Sequence, residues 1–302
     1  MNTPLRQNNG YHEFGLLRGI AALLLSCQTI SVAQIPASPL RQAHAHNDYL
    51  HERPLLDAVQ NRFASVEADI FLVDGELLVA HTFWELDRNR TLQKLYLDPL
   101  KELTQANGGT VFKDAAAEFT LLIDIKNKGG ETYQTLHKVL GEYPQLVSHV
   151  KDGTLHRKAV RVIISGDRAI DVIRQTSPRL AGIDGRLSDL DTRLSNDLMP
   201  LISDNWRNHF KWRGKGPIPE LEKARLNSIV SKAHAKGRRI RFWATPDTKD
   251  VWTVLQEAGV DLINTDDLDG LKSHLEQSES DSQSGDLKSA KPKQHPNKPD
   301  QN

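Results

Sequence analysis

The sequence predicts an α/β protein whose central domain, residues 40–275, is a (β/α)8 barrel of the TIM type. Short runs rich in β-branched and aromatic residues alternate with helical stretches, and turn signals separate most of them. About eight such strands fall within about 235 residues, which is the strand number and length of this barrel. A doubly wound open sheet would give the same alternation and is the alternative, so the strand count alone favours the barrel.

The elements follow one another in a regular order. The predicted strands are Arg41–His46, Ser65–Val73, Phe119–Lys126, Ala159–Ser165, Arg179–Ile183, Met199–Ser203, Arg238–Ala244 and Val260–Asn264. The predicted helices include Pro54–Asn61, Asp98–Ala106, Glu131–Leu140, Arg168–Gln175, Glu220–Lys236 and Lys249–Ala258. Gly237 and Gly259 follow two of these helices, at the position where glycine ends a helix.

A small β-hairpin is expected directly after the second strand. Asp74-Gly75 lies between the apolar runs Phe71–Val73 and Leu77–Val79. Asp-Gly between two such runs is the strongest short hairpin signal. The second barrel strand is therefore expected to continue into this hairpin before the next helix.

The first 33 residues are predicted to be a signal peptide. Arg6 and Arg18 precede the apolar run 19–25, which is shorter than the roughly 20 residues that cross a bilayer. Ser31-Val32-Ala33 supplies the small residues of a cleavage site. Export to the periplasm or the medium is expected.

A second interpretation of the same segment is a lipoprotein signal. Leu24-Leu25-Ser26-Cys27 resembles a lipoprotein box with Cys27 as the acylated residue. Contact with a membrane is expected only if Cys27 is lipidated, because no basic amphipathic helix stands out.

Composition excludes other classes of protein. Lys plus Arg and Asp plus Glu both number 39, so the basic surplus that nucleic-acid binding requires is absent. One cysteine cannot form a disulfide framework, whereas 38% hydrophobic residues suffice for a large core. Residues 276–302 are almost devoid of apolar side chains, and we predict that they form a disordered polar tail.

Acidic residues stand at the carboxyl ends of two predicted strands, where barrel enzymes place their chemistry. Glu67 and Asp69 are two apart on one strand, so their side chains point to the same face, and Asp124 follows on the next barrel strand. Carboxylates this close repel unless a cation neutralises them, and hard oxygen ligands favour Mg²⁺ or Ca²⁺. Pairing of Glu67 and Asp69 with arginines is the alternative.

Two histidines flank the acidic residues and are candidates for general acid and base catalysis. His46 ends the first strand and His81 ends the hairpin. Histidine takes and gives a proton near neutral pH without further tuning. A strict two-residue turn at Asp74-Gly75 would put His81 opposite Ala68, with its ring pointing away from the carboxylates. The catalytic interpretation therefore requires a bulge or a break in pairing before His81.

Other polar and aromatic residues near these strand ends have less definite roles. Lys126 shares a face with Asp124 and is expected either to meet a substrate phosphate or to neutralise Asp124. Trp243 either shapes the pocket or belongs to the core. His44, Asp48 and His51 are expected to support the site or to lie on the surface.

Taken in order, these motifs resemble the glycerophosphodiester phosphodiesterases, phosphatidylinositol-phospholipase-C-like barrel enzymes to which the sphingomyelinases D are related. The resemblance spans residues 42–268. It rests on Ala45-His46, Glu67-Ala68-Asp69, Asp74-Gly75, Leu78-Val79-Ala80-His81, Ile123-Asp124-Ile125-Lys126, Arg241-Phe242-Trp243-Ala244-Thr245 and Asn264-Thr265-Asp266. Where the family has His-Arg-Gly, this chain has His46-Asn47-Asp48, a form similar to a branch related to a fungal protein named for altered inheritance of mitochondria.

The resemblance implies a metal-dependent hydrolase of a glycerophosphodiester-like or phospholipid-derived phosphodiester. It implies that Glu67, Asp69 and Asp124 hold the cation, that His46 is the base and that His81 is the acid. The candidate substrate contacts are Asn47, Lys126 and Trp243. A non-catalytic barrel that binds a phosphate ligand is the main alternative. A glycosidase is disfavoured, because carboxylates two apart on one strand lie on the same side of any sugar.

Overall fold

The computed structural model describes residue 36, residues 38–113 and residues 118–289. The predicted signal peptide, with Cys27, lies outside the described residues. The described chain carries the (β/α)8 barrel expected from the sequence. Eight parallel strands pair in the order β1-β2-β4-β7-β8-β9-β10-β11, and β11 pairs with β1 to close the barrel.

Each of the eight predicted strands is present within three residues of its expected bounds. The barrel strands are β1 Leu40–Ala45, β2 Phe63–Val73, β4 Phe119–Ile125, β7 Val160–Gly166, β8 Ala181–Gly185, β9 Leu201–Asn205, β10 Arg239–Trp243 and β11 Leu262–Thr265. Strand β3, Glu76–Val79, pairs antiparallel with the end of β2, and the Asp74-Gly75 turn has positive φ at both residues. This is the hairpin expected from the Asp-Gly signal.

Helices cover the outside of the barrel, as the alternating sequence predicts. They are α1 Leu56–Gln60, α2 Asp98–Ala106, α3 Gly129–Gly141, α4 Ile170–Gln175, α5 Trp206–His209, α6 Glu220–Ala235, α7 Lys249–Glu257 and α8 Leu268–Ser289. Short 3-10 or π turns occur at Asp48–Leu50, Phe83–Glu85, Gln93–Leu97 and Leu187–Asp189. Over the described ranges, no helix combines the length and apolar character needed to cross a membrane.

Two features were not predicted. Strands β5 (His149–Lys151) and β6 (Thr154–His156) form a separate two-stranded hairpin. Helix α8 continues beyond residue 275 to Ser289, and Arg62 pairs with Glu276 and Glu279 on it. The tail predicted to be disordered from residue 276 is therefore helical as far as residue 289, because ion pairs tie its first turn to the barrel.

Side chains that point into the barrel alternate along each strand. A cluster of four buried aliphatic residues fills the middle of the interior: Leu122, Ile163, Leu201 and Leu262. Two residues further along their strands are Asp124, Ser165, Ser203 and Asn264, towards the carboxyl ends. The apolar cluster thus lies between polar groups at either end, and the acidic site lies on its carboxyl-end side.

Candidate active site

Three carboxylates meet at the carboxyl ends of β2 and β4. Residues Asp69 and Asp124 are direct neighbours in the parallel register of these strands, and Glu67 is one inward-facing position below Asp69. One oxygen of each of the three carboxylates lies within 4.8 Å of the others. Glu67 and Asp69 are buried, whereas Asp124 is partly exposed. The predicted acidic residues are thus brought together.

This cluster fits a divalent cation. Asp69 Oδ1 is buried and has no hydrogen-bond partner among the described residues, so one ligand atom is left unused. Carboxylate oxygens are ligands that Mg²⁺ and Ca²⁺ prefer. Burial and the neighbouring carboxylates raise the pKa of Asp69, and they raise that of Asp124 to about 6. A bound cation would offset this repulsion and favour the ionised carboxylates.

Glu67 forms the arginine pair that was the alternative to metal binding. Arg241 on β10 crosses the interior and donates a short hydrogen bond to Glu67 Oε2, and it also donates to Asn264 Oδ1 at 2.9 Å through Nε. Burial alone would raise the pKa of Glu67, but the charge of Arg241 and the hydrogen bond from His44 together outweigh it and hold that pKa well below its usual range. Glu67 is therefore ionised and shared between the cluster and Arg241.

His44 is a neutral partner of the same carboxylate. Burial, together with the charge of Arg241, lowers the pKa of His44 to about 3. The neutral ring donates from Nε2 to Glu67 Oε2 at 3.4 Å and accepts at Nδ1 from the Ser65 hydroxyl at 2.7 Å. His44 thus supports the site through Glu67, whereas the other expectation from the sequence was a position on the surface.

Lys126 neutralises the other two carboxylates. Its Nζ lies 2.8 Å from Asp69 Oδ2 and 3.1 Å from Asp124 Oδ1. Burial lowers the pKa of Lys126, but these two carboxylates outweigh burial and raise it. The ammonium therefore supplies positive charge where a divalent cation would supply more.

His46 is oriented by an aspartate from the last strand. His46 Nδ1 lies 2.8 Å from Asp266 Oδ1, just beyond β11. A carboxylate can only accept, so Nδ1 carries the proton and Nε2 presents its lone pair. Burial disfavours the charged ring, but the hydrogen bond to Asp266 and the negative charges of Glu67 and Asp266 together outweigh burial and raise the pKa of His46. This is the arrangement of an oriented general base.

His81 reaches the cluster because the hairpin ladder ends before it. Pairing of β2 with β3 stops at Ile70 and Val79, and Ala80 N–H still donates to Asp69 C=O at 3.3 Å. Beyond that point the ring of His81 turns to the carboxylate: its Nδ1 lies 3.3 Å from Asp69 Oδ2. The break that the catalytic interpretation required is present.

Tyr49 links His81 to the acidic cluster. Its hydroxyl lies 2.6 Å from Asp69 Oδ2 and 2.8 Å from Asn47 Oδ1. The single proton goes to Asp69, the nearer and charged acceptor, so the oxygen accepts from His81 Nδ1 at 2.9 Å. The His81 side chain is half exposed. Its Nε2 is thereby left free at the open side of the site, as a proton donor would require.

The two remaining predicted substrate contacts, Asn47 and Trp243, lie at the same end of the barrel as the acidic cluster. Asn47 has a left-handed backbone, with φ of 47°, and its Nδ2 lies 3.0 Å from His46 Nδ1. Trp243 ends β10 and is partly exposed, and the Arg186 guanidinium lies 4.9 Å from its ring centroid. Asn47 thus borders His46, and Trp243 forms a cation–π pair at the same end of the barrel.

Asp48 is buried rather than exposed, and it fixes the loop that follows His46. Its Oδ2 accepts from Leu55 N–H at 2.6 Å and from the Tyr96 hydroxyl at 2.9 Å. Burial raises the pKa of Asp48 to about 7, although both hydrogen bonds oppose the rise.

Asp48 is expected to make the stability of the fold depend on pH. Between its unfolded pKa near 3.8 and its folded pKa of about 7, the folded chain binds the extra proton. The free energy of unfolding should therefore fall as pH rises, by about 2–3 kcal/mol from pH 5 to pH 8. Urea unfolding at both pH values should give a smaller fall in Asp48→Asn and an unchanged fall in the exposed control Asp171→Asn. Equal falls in all three proteins would contradict the assignment.

Three residues of the site were not singled out from the sequence. Tyr49, Arg241 and Asp266 hold His81, Glu67 and His46 respectively. Arg241 lies two residues before Trp243 on the same strand and so points to the same face, and Asp266 lies two residues after the end of a predicted strand. Both signals are visible in the sequence, but neither identifies the partner.

Two segments of the chain that carry this site match models of known protein families. Residues 35–181 match the model of the AIM6-like phosphodiesterase domain, and residues 239–269 match that of the glycerophosphoryl diester phosphodiesterase family. The first segment carries both histidines, the three carboxylates and Lys126, and the second carries Arg241 and Asp266. The barrel and these matches define a phosphodiesterase of the glycerophosphodiester phosphodiesterase-like superfamily.

Several fungal relatives cover most of the chain. Altered inheritance of mitochondria protein 6 of Eremothecium gossypii is 31% identical over 77% of this chain and 69% of its own length. The homolog from Arthroderma benhamiae is 27% identical over 77% of this chain and 83% of its own. The chain belongs to the AIM6-like phosphodiesterase family, and the resemblance seen in its sequence is confirmed.

Solved structures of glycerophosphodiester phosphodiesterases are more distant. That from Parabacteroides distasonis is 16% identical, covers 80% of this chain and 99% of its own, and gives a TM-score of 0.49. That from Agrobacterium tumefaciens is 14% identical, covers 78% of this chain and 99% of its own, and gives 0.47.

Proposed function

We propose that this protein is a metal-dependent phosphodiesterase that hydrolyses a glycerophosphodiester-like or phospholipid-derived phosphodiester. One observation carries the proposal: two oriented imidazoles, His46 and His81, flank three clustered carboxylates at the carboxyl end of the barrel. Export is part of the proposal and is supported by the sequence of residues 1–33 alone.

Glu67, Asp69 and Asp124 are the residues that would hold the cation, Mg²⁺ or Ca²⁺. A divalent cation bound there supplies a positive charge that polarises a phosphodiester oxygen and offsets the charge that develops on it. Lys126, between two of these carboxylates, is placed to donate to a second phosphate oxygen when the substrate arrives. Trp243 would then contact the alcohol portion.

The two histidines divide the proton transfers. His46 takes a proton at Nε2 from water or from a neighbouring substrate hydroxyl, while Asp266 stabilises the imidazolium that forms. His81, as an imidazolium with a proton on each ring nitrogen, gives the proton on Nε2 to the oxygen of the leaving alcohol, and its Nδ1–H remains bonded to the Tyr49 oxygen. Attack by water yields a phosphomonoester and an alcohol, whereas attack by the substrate hydroxyl yields a cyclic phosphate.

A non-catalytic barrel that binds a phosphate ligand is the second candidate. It is favoured by the neutralisation already present, since Arg241 pairs with Glu67 and Lys126 pairs with Asp69 and Asp124. Where the family motif His-Arg-Gly has an arginine that could contact phosphate, this chain has Asn47. Such a protein would bind a phosphodiester and release it unchanged.

Hydrolysis of an aryl phosphodiester by the full chain, with and without EDTA, separates the two candidates. We expect EDTA to abolish turnover and excess Mg²⁺ or Ca²⁺ to restore it. Asp124→Asn should need more cation for half-maximal activity, by about tenfold or more, because one ligand loses its charge. Asp171→Asn, on the exposed face of α4, is the matched control. Binding of the phosphodiester without turnover under every metal tested would favour the binding barrel instead.

A further inference from the structure

A second charged site lies at the opposite, amino-terminal end of the barrel. A cavity of about 570 Å³ opens there, within the size range of small-molecule sites. Four arginines line it: Arg41, Arg157, Arg161 and Arg239. The inward-facing positions at this end of a barrel are ordinarily filled by apolar side chains. A group of arginines is therefore unusual at this end of the barrel.

Two of the arginines belong to the barrel interior itself. Arg161 near the start of β7 is only 6% exposed, and Arg239 starts β10. Arg239 reaches across the barrel to donate to Thr120 Oγ1 at 3.1 Å, on a strand four positions away around the eight-stranded ring. Their guanidinium groups are thus held at the floor of the cavity by the two opposite walls.

The carboxylates that line the cavity are already engaged. Glu118 pairs with Arg157 at 3.1 Å, and Asp197 pairs with Arg179 at 2.5 Å. Asp261 accepts from His234 Nε2 and from a backbone N–H, both at 2.8 Å. These carboxylates therefore offset the positive charge of the remaining arginines only in part, and among the described residues they form no ion pair with them.

Three of the arginines at this end have no carboxylate as a direct partner in the described part of the chain. Among the described residues Arg41, Arg161 and Arg239 form no ion pair. Arg161 donates one hydrogen bond, to the Asp197 carbonyl at 2.7 Å, and Arg239 donates one, to Thr120. A guanidinium has five N–H donors, so most donors of both groups remain available to a ligand in the cavity.

Holding these cations together costs free energy. Burial lowers the pKa of Arg161 and of Arg239, and the charge of Arg157 acts in the same direction on both. Glu118, together with Asp261 in the case of Arg239, opposes these effects without cancelling them. An anion in the cavity would offset this repulsion and supply the missing acceptors. Guanidinium forks match the paired oxygens of phosphate groups.

We propose that this amino-terminal cavity binds a small phosphate-type oxyanion through Arg161, Arg239 and Arg41. The site is separate from the acidic centre, since Thr120 and Asp124 are four residues apart on β4, roughly 13 Å, with the apolar layer of Leu122 between them. It is also of opposite charge, because its uncompensated groups are cationic. The inference stands independently of the activity proposed for the other end.

Isothermal titration of the full chain with inorganic phosphate, at ionic strength held constant with NaCl, tests the site. We expect saturable binding that Arg161→Gln and Arg239→Gln each weaken at least tenfold. Arg174→Gln, an exposed arginine on α4, should bind like the wild type. Lys126→Gln should keep this binding, because Lys126 lies at the opposite end. Absence of saturable binding in the wild type would overturn the proposal.

A second pair of variants covers the case in which the interior substitutions do not fold. Arg41 is exposed at the rim of the cavity, so Arg41→Glu should fold and should weaken phosphate binding at least tenfold. Unchanged affinity in Arg41→Glu would overturn the proposal. Loss of all binding in Lys126→Gln would also overturn it, because the phosphate would then occupy the acidic centre.

Discussion

Replacing His46 by alanine is expected to lower kcat for an aryl phosphodiester by about 10²–10⁴-fold. The variant loses the imidazole whose Nδ1 is fixed by Asp266, and therefore loses the oriented lone pair at Nε2. Steady-state kinetics with saturating Mg²⁺ or Ca²⁺ measure this effect. His156→Ala, in the hairpin β5–β6 outside the barrel, is the matched control and should keep its activity.

The companion variant Asp266→Asn tests orientation rather than proton transfer. An amide can donate to His46 Nδ1, which would favour the tautomer with its proton on Nε2 and remove the base. We expect a large loss in kcat with little change in KM, and a smaller loss than in His46→Ala at high pH. If Asp266→Asn matches the wild type, Asp266 does not set the tautomer and His46 acts without it.

Much of this site could be predicted because successive side chains along a strand point to opposite faces of the sheet. Glu67 and Asp69 had to share a face, and Asp124 had to follow on an adjoining strand once the chain alternated strand and helix. The Asp74-Gly75 turn fixed the register of the hairpin. That register in turn showed that His81 could reach the carboxylates only if the ladder ended before it.

The partners of these groups could not be predicted, since barrel closure brings them together. His46 and Asp266 are separated by 220 positions, and Glu67 and Arg241 by 174. A local pattern carries no information about which of several inward side chains meet across the interior. The exposed or buried state of Asp48 likewise depended on Tyr96, which no motif connects to it. Similarly, the ion pairs that Arg62 forms with Glu276 and Glu279, beyond residue 275 of α8, join positions more than 200 residues apart, and no local pattern predicts them.

Replacing Arg241 by methionine is expected to destabilise the fold by about 3–5 kcal/mol. Both side chains of the Glu67–Arg241 pair are almost fully buried, so the variant leaves an uncompensated carboxylate inside the barrel. Urea unfolding at pH 7.5 without divalent metal measures the loss. Arg174→Met removes an exposed pair with Asp171 and should change the free energy of unfolding by at most about 1 kcal/mol.

Charge, rather than packing, accounts for this loss if the partner substitution reverses it. Glu67→Gln combined with Arg241→Met removes the buried charge and should recover more than half of the lost stability. Equal instability of the single and double variants would instead assign the effect to the shape of the Arg241 side chain and its bonds to Asn264.

The same variant connects stability to cation binding. In the wild type Arg241 competes with a cation for Glu67, whereas in Arg241→Met the carboxylate is released to the cluster with Asp69 and Asp124. A ligand that binds only the folded state raises Tm in proportion to the logarithm of its concentration relative to Kd. Added Mg²⁺ or Ca²⁺ should therefore raise Tm more in Arg241→Met than in the wild type. An equal rise in both proteins would mean that Glu67 serves Arg241 and not a metal, and would leave Asp69 and Asp124 as the acidic ligands. No rise in either protein would mean that the cluster binds neither cation.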